Sequence, residues 1–106
     1  MVFEGEYLNG KKSGKGKEYD NFSKTKCEGE YLNGERNGKG KEYDSSCQII
    51  FEGVYSNGER WNGKGKDYYD YGILRFEGEY LNGERWNGKG YDEKGNYLKN
   101  EIIGTD

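Results

Sequence analysis

The chain has 106 residues and a formal net charge of −3, from 17 Lys and Arg against 20 Asp and Glu. Val, Leu, Ile and Phe together supply only 16 residues, a share typical of disordered chains. The 19 Gly, 11 Tyr and absence of Pro do not fit a linker. The absence of His removes the usual acid/base catalyst. No apolar run is long enough for a membrane span or a signal peptide, and the mixed charge predicts no bulk attraction to nucleic acid.

One sequence unit occurs four times. The octet that begins at Phe3 returns at Cys27, Phe51 and Phe76, and a Gly-x-Gly element follows each copy. A repeat at a fixed period of this kind predicts a solenoid. We therefore expect one domain over residues 1–106, with repeats at about 3–26, 27–50, 51–75 and 76–91 and a C-terminal cap at 92–106.

Each unit is predicted to form two short antiparallel strands. Apolar and charged residues alternate through Phe3 to Tyr7, which is the period of a strand. The Asn-Gly pair at Asn9 tolerates the positive φ angles of a hairpin turn. The chain is thus predicted to be all-β, an elongated single-layer antiparallel meander of about eight strands, in which only neighbouring units touch.

The glycines inside these strands predict that aromatic rings from neighbouring strands cover them. A bare glycine leaves a floor on which a ring from a neighbouring strand can lie. One interpretation is that the rings of this face form a partner-binding groove, because a single-layer sheet cannot bury both faces by itself. The alternative is that the rings lie flat as the core. The residues are Phe3, Tyr7, Tyr31, Phe51, Tyr55, Phe76 and Tyr80.

The opposite face is predicted to carry lysines and glutamates side by side, with Glu4 and Glu6 beside Lys15 and Lys17. Such cross-strand pairs fit a solvated face that sets register. The alternative is a comb for lipid phosphates, although acidic residues share the face. The lysines of that alternative are Lys15, Lys17, Lys39, Lys41, Lys64, Lys66 and Lys89.

Units three and four contain an inserted tryptophan. Trp61 and Trp86 occupy equivalent positions, next to Arg60 and Arg85, and are expected side by side on one rim. Trp and Arg are enriched in binding hot spots, so this rim is a second candidate site. The alternative is that each Trp folds back to seal its own hairpin or a neighbouring Arg.

No catalytic, metal or cofactor site is predicted. Carboxylate pairs recur in every unit, whereas a catalytic pair should be singular. Cys27 opens a strand and Cys47 lies in a turn, so we expect free thiols. Two Cys without His make a poor metal site. The Gly-Lys-Gly elements lack the Gly-Lys-Ser/Thr ending of a phosphate loop.

The two ends of the chain differ. Residues 92–95 are predicted to turn into a final strand, and Leu98, Ile102 and Ile103 would cover the end or pair with a second copy as a homodimer contact. The chain start shows no cap, so the first strand is expected to be an edge open to pairing.

The pattern aromatic-x-Gly-x-Tyr-x-x-Gly, then a polar loop and Gly-x-Gly, resembles the MORN repeat over residues 3 to about 91. Cys27 replaces the opening aromatic residue in unit two. The resemblance implies a β-hairpin solenoid that is a non-catalytic scaffold or adaptor and binds a protein helix or peptide along an aromatic groove. The free thiols fit a reducing compartment, so we expect a cytoplasmic protein, or one peripheral to a membrane or the cytoskeleton. The alternatives are phosphoinositide or membrane-surface binding and a purely structural repeat fragment or idealised repeat sequence. The partner's identity stays open.

Overall fold

The computed structural model describes residues 2–22, 24–70 and 72–102, with side chains up to residue 98. Those residues form nine strands in one sheet, and the strand order follows the chain order. The overall dimensions are 46 × 35 × 16 Å, which fit one layer. The predicted all-β meander is confirmed, and the ninth strand is the final strand expected after residue 95. The strands are β1 Val2–Leu8, β2 Lys11–Tyr19, β3 Thr25–Leu32, β4 Glu35–Tyr43, β5 Ile49–Ser56, β6 Glu59–Tyr68, β7 Leu74–Leu81, β8 Glu84–Tyr91 and β9 Tyr97–Ile102.

Asn-Gly turns close the four hairpins, as the sequence predicts. Asn9 and Gly10 have φ angles of 53° and 78°, and the other three turns repeat these values closely. Two successive positive φ angles match the twist of a two-residue hairpin. Consecutive turns are also joined, because the backbone N–H of Gly34 donates to the carbonyl oxygen of Lys12, 3.0 Å away. The hairpin tips therefore line up along one edge of the sheet.

Aspartates close the turns between repeats. The Oδ1 atom of Asp20 accepts the backbone N–H groups of Phe22 and Lys24 at 2.8 and 3.0 Å. Asp44 and Asp92 accept two backbone N–H groups in the same way. The Lys24 N–H, then that of Phe22, holds the pKa of Asp20 below its ordinary value, because both donors favour the charged form.

Glycines of adjacent strands face each other across the sheet. Gly16 pairs with Gly5 on one side and with Gly29 on the other, and Gly40 continues the row. A Cβ added to Gly29 would lie 2.6 Å from the Cα of Gly40, closer than real Cβ contacts allow. The close approach of the two backbones therefore requires glycine here.

The inserted tryptophan changes the register of its hairpin. In the first two units the second glycine of Gly-x-Gly faces the preceding strand, as Gly40 faces Gly29. In unit three the first glycine does so, since Gly63 pairs with Gly53. Trp61 lies between the paired residues Arg60 and Asn62 and pairs with no residue of β5, which makes it a one-residue bulge.

The last strand departs from the repeat. Lys99 and Glu101 of β9 pair with Gly90 and Gly88. No glycine of β9 faces β8, so the row of paired glycines ends there. Leu98 is exposed in this strand, and its role in covering the end or in pairing with a second copy stays a prediction. The side chain of Ile102 and all of Ile103 lie outside the described residues.

Candidate functional site

The aromatic face, defined by the seven rings from Phe3 to Tyr80 named above, is largely core. Four of its rings are buried, whereas Phe3 and Tyr80 are half-buried. Tyr7 alone among the seven is exposed. The interpretation of a continuous open strip of seven rings is therefore wrong for the buried ones, and the alternative of rings packed as core holds there. The buried rings are Tyr31, Phe51, Tyr55 and Phe76.

The buried rings lie over glycines of neighbouring strands, as predicted. A Cβ at Gly65 would lie 2.8 Å from the Phe51 ring, and one at Gly40 would lie 2.9 Å from the Tyr55 ring. Phe51 also meets Tyr55 edge-to-face at 5.2 Å between ring centroids. Edge-to-face pairs are favourable because the positive ring edge meets the negative ring face. Glycines and rings together thus replace an aliphatic core.

Each buried tyrosine hydroxyl donates a hydrogen bond to a glutamate. The hydroxyl of Tyr31 donates to Glu18 Oε1 at 2.6 Å, and Arg36 Nε donates to the same oxygen at 3.0 Å. Glu18 is buried and comes from the strand before Tyr31, whereas Arg36 comes from the strand after it. The cluster therefore joins three consecutive strands through one carboxylate.

A second cluster repeats this arrangement one unit later. Tyr55 donates to Glu42 Oε1 at 2.6 Å, and Arg60 binds both carboxylate oxygens at 3.0 and 3.2 Å. Arg60 also donates to the carbonyl oxygen of Lys66 and to the hydroxyl of Tyr80. Because two-point Arg–carboxylate contacts are strong and directional, this cluster fixes the position of β6 against β4 and β7.

The charges of these clusters are balanced. Burial alone would raise the pKa of Glu18 and Glu42, but the hydrogen bonds from Arg and Tyr outweigh it, so both carboxyls keep a pKa below the ordinary value. Burial, together with the bond to Glu42, raises the pKa of Tyr55 far above its ordinary range. All these groups are therefore in the states that satisfy their hydrogen bonds at neutral pH.

Cations cover the rings from outside. Lys12 lies over the Phe3 ring at 4.9 Å from its centroid, and Arg60 lies over Phe51 at 5.0 Å. Arg85 covers Phe76 in the same manner. The prediction that the two arginines form an exposed rim with the tryptophans is wrong for Arg60 and Arg85, because both pack on the aromatic face.

Trp61 packs against the next hairpin. A Cβ at Gly83 would lie 3.2 Å from two carbons of the Trp61 ring, and the Gly83 N–H donates to the Trp61 carbonyl oxygen. Trp61 remains exposed on its other side, whereas Trp86 is partly buried. Trp61 thus seals a junction between hairpins rather than its own hairpin, and binding through this rim stays a prediction.

The charged face, opposite the aromatic face, contains a groove of about 910 Å³. Its floor is the half-buried backbone of the glycine row, which lies between two rows of charged side chains. A smaller depression of about 370 Å³ lies over the later strands. The floor glycines are Gly16, Gly29, Gly40 and Gly53, and the walls are Glu4, Lys15, Lys17, Glu28, Glu30, Lys39, Lys41, Glu52 and Val54.

The predicted pairing of lysines and glutamates is present, and its ion pairs connect successive repeats. Lys17 lies 3.9 Å from Glu28, and Lys41 lies 3.7 Å from Glu52. Lys66 and Glu77 form the equivalent pair in later units. Tyrosines also contribute, because the Tyr43 hydroxyl donates to Glu28; that bond, then burial, raises the pKa of Tyr43 to about 12. Each of these glutamates therefore already has a partner on its own sheet.

Sequence reasoning missed the roles of Glu18, Glu42 and Arg36. The signal was present, since Glu-Tyr ends the second strand of units one and two and Glu-Arg opens the second strand of units two to four. Alternation along β2 puts Glu18 on the same side as Gly14 and Gly16, but its hydrogen bond with Tyr31 could not be predicted, because that contact depends on the register between two repeats.

The remaining candidate chemistry is sparse. Both cysteines are free thiols, with Cys27 buried and Cys47 exposed. Burial raises the pKa of the Cys27 thiol, which keeps it protonated. Among residues 2–22, 24–70 and 72–102 no cluster of three potential metal-binding side chains was found. The same part of the chain contains no helix able to cross a membrane.

Comparison with known families agrees with the geometry. A family model described as the MORN repeat matches residues 3–21 and 27–46, which cover the hairpins β1–β2 and β3–β4. Hairpins β5–β6 and β7–β8 repeat the same octet and continue the same sheet. A search of curated proteins found no significant match.

Proposed function

We propose, on the premise that this chain carries MORN repeats, that it is a non-catalytic scaffold that binds a protein segment in the charged-face groove. MORN repeats are non-catalytic units that generally take part in protein or membrane interactions. The observation that supports this site is the groove of about 910 Å³ along the glycine row. On the charged face, the backbone of the glycine row can be reached between two rows of charged side chains, whereas the aromatic face is filled by packed rings that cations cover.

The spacing of the walls favours a helix over an extended chain. Neighbouring strands lie about 4.8 Å apart, so charges along each wall recur at that distance. A helix places one residue on the same line every 5.4 Å or so, while an extended chain does so every ~6.7 Å. Over four strand spacings, the side chains on one line of a helix shift by about 2.4 Å relative to the charges of the wall, whereas those of an extended chain shift by about 8 Å.

The chemistry of the walls predicts the chemistry of the helix. One wall runs Glu4, Lys17, Glu28, Lys41 and Glu52, which alternate in charge. A complementary helix carries alternating charges at successive turns of one face, because like charges placed opposite each other are destabilising. The other wall contains Val54, the single aliphatic side chain of the groove lining, which is half-exposed and offers one apolar contact.

A photo-crosslinking experiment tests this site. A benzophenone amino acid at Val54, in the groove, should capture a partner from the source-cell lysate, whereas the same residue at Phe22, in an exposed turn outside the groove, should not. Adding Lys39→Glu, which reverses a charge facing Val54, should reduce the adduct about tenfold. Lys24→Glu makes the same charge change outside the groove and should leave the adduct intact. Equal adducts from both crosslinker positions, or an adduct insensitive to Lys39→Glu, would contradict the proposal.

The membrane alternative has one observation in its favour, since the seven lysines named above share a face. Three of them lie within 4 Å of a glutamate carboxylate, which lowers the positive potential available to a lipid phosphate. We therefore place it second. Sedimentation with vesicles separates the two, because lipid binding predicts that the chain pellets with phosphoinositide vesicles and not with neutral ones, whereas the proposed site predicts pelleting with neither.

A further inference from the structure

Unit three has an apolar residue where the other units have a charged one. The fourth residue of its octet is Val54, whereas the other three octets have a glutamate there. Lys39 of β4 therefore pairs with Val54 and has no carboxylate directly opposite it on β5. Glu30, on the other side of Lys39, is shared, because it pairs with Lys15 and accepts the backbone N–H of Lys39. The sheet thus leaves the charge of Lys39 less compensated than that of Lys15.

Two further apolar side chains lie beside Val54. Asn62 of β6 pairs with Val54, and the register of β6 against β7 puts Leu81 on the other side of Asn62. Trp61 is the extra residue of the bulge, so it lies opposite Val54 together with Asn62. The exposed fractions of Val54, Trp61 and Leu81 are 37%, 36% and 37%. We call these three residues the apolar patch.

The apolar patch continues the charged-face groove. Val54 and Lys39 both line the groove, which extends from β1 to β5. The patch extends from β5 to β7, which is two strand spacings or about 10 Å. The groove therefore has charged walls over the first repeats and an apolar end, and Lys39 lies at the boundary between them.

The size of the apolar patch favours a segment held in the groove over a second copy of this chain. About a third of each of three side chains is exposed, on the order of 200 Å² in total, whereas each partner of a stable complex contributes ~800 Å². The patch alone is therefore too small to hold a dimer. A helix already bound in the groove needs only to extend across two more strands to cover it.

We propose that the groove selects a helix with one carboxylate and two large apolar residues at successive turns of one line, in either chain direction. The inference rests on the proposed function and adds the chemistry of the partner. From β4, which carries Lys39, the patch begins about 5 Å away and ends about 14 Å away. Positions four and eight residues along a helix lie about 6 and 12 Å from the first. The carboxylate would face Lys39, and the apolar residues would cover Val54 and the space between Trp61 and Leu81.

Selection from a display library of helical peptides is the direct probe. The library has an alanine-rich helix of about 20 residues in which every fourth position is randomised, so that one line of the helix varies. We expect selected peptides to carry Asp or Glu at one varied position and Leu, Met, Phe or Trp at the two next to it in one direction. A second selection uses the chain with Val54→Glu, which restores the residue of the other three units. It should lose the apolar preference at the adjacent position and gain Lys or Arg there, because opposite charges attract across the contact.

A matched pair of variants tests the apolar end of the groove. Leu81 and Leu8 occupy the same position of their octets, and both are exposed. Leu81→Glu should weaken binding of a selected peptide at least about tenfold in fluorescence anisotropy, because it places a charge against apolar side chains. Leu8→Glu makes the same change outside the patch and should leave the affinity unchanged. Urea unfolding of both variants shows that the chain remains folded.

The outcomes separate this inference from the proposed function. Selected peptides without apolar residues, selection that ignores Val54→Glu, or equal effects of the two leucine variants overturn the inference. A Val54 crosslink that is still sensitive to Lys39→Glu then leaves the proposed function standing. Absence of any selected peptide also overturns the inference, and absence of the Val54 crosslink as well overturns both.

Discussion

Removal of Arg60 offers the sharpest test of the hydrogen-bonded clusters. Arg60→Met keeps the apolar stem of the side chain but removes the guanidinium that covers Phe51, and it leaves Glu42 with the hydrogen bond from the Tyr55 hydroxyl and no ion pair to residue 60. Breaking a fully buried ion pair costs about 3–5 kcal/mol, because an unpaired charge remains inside. The Glu42 side chain is 19% exposed, so we expect the lower end, about 3 kcal/mol.

The matched control is a surface pair. Lys66 and Glu77 lie 3.9 Å apart, with side chains 38% and 47% exposed. Lys66→Met removes a cation of the same charge from that pair, and it should cost less than about 1 kcal/mol. The contrast between the two variants shows whether the Arg60 cluster, with its buried ion pair and its hydrogen bonds to Lys66 and Tyr80, stabilises the fold more than an exposed ion pair does.

Acidic pH should reduce the difference in the free energy of unfolding between the wild type and Arg60→Met. In the wild type the pKa of Glu42 is below its ordinary value of 4.5, so the stability it contributes is present above pH 4.5 and is lost as the pH falls through the folded-state pKa. In the variant Glu42 is buried without its cation, and protonation removes the unpaired charge. The loss of about 3 kcal/mol at pH 7 should therefore begin to shrink above pH 4.5, where the buried carboxyl of the variant takes up its proton, and shrink further as the pH falls through the lowered pKa of the wild type.

Urea unfolding monitored by circular dichroism measures both effects. With a slope near 1.5 kcal/mol/M, a 3 kcal/mol loss moves the midpoint by roughly 2 M. A loss from Arg60→Met below about 1 kcal/mol, or one equal to that from Lys66→Met, would refute the clusters as core elements. A loss that stays constant from pH 7 to pH 4 would refute the assignment to the Glu42 charge.

Two further predictions concern packing. Gly40→Ala should lower the free energy of unfolding in urea by about 2 kcal/mol, because the new Cβ would lie 2.9 Å from the Tyr55 ring. Gly34→Ala has nothing within 4 Å of its Cβ and is strained only by its φ of 89°, so it should cost about 1 kcal/mol. Equal costs would count against the packing of rings over glycines. A thiol reagent should modify Cys47 rapidly and Cys27 only in denaturant, and rapid reaction of two thiols per native chain would contradict the burial of Cys27.

The repeats, the hairpin turns and the two faces could be predicted because each depends on local periodicity. Asn9 and Gly10 favour a turn through their own backbone preferences, and alternation alone places Glu18 and Lys17 on different faces of the sheet. The burial of Tyr55 could not be predicted in that way. It depends on Glu42 from the preceding strand and Arg60 from the following one, and therefore on two registers that no single unit encodes.

The misplacement of Arg60 has a similar cause. Its adjacency to Trp61 in the sequence suggested one shared surface, but neighbouring residues of a strand point to opposite sides. Arg60 packs on the aromatic face against Glu42, whereas Trp61 packs against Gly83 of the next turn. Sequence adjacency is therefore a poor guide to a shared surface in a strand, where alternate residues share a face.

The bulge at Trp61 also bears on how repeats of unequal length can coexist in one sheet. An odd insertion in a regular strand would send every later side chain to the opposite face, so lysines would enter the core. Here the register of the hairpin shifts instead: Lys64, the first lysine of its unit, faces Glu52, whereas in unit two the second, Lys41, faces Glu28, and the lysines stay on the charged face. Length variation between units can therefore accumulate at this point of the hairpin, while an insertion between Gly63 and Gly65 would turn the strand inside out.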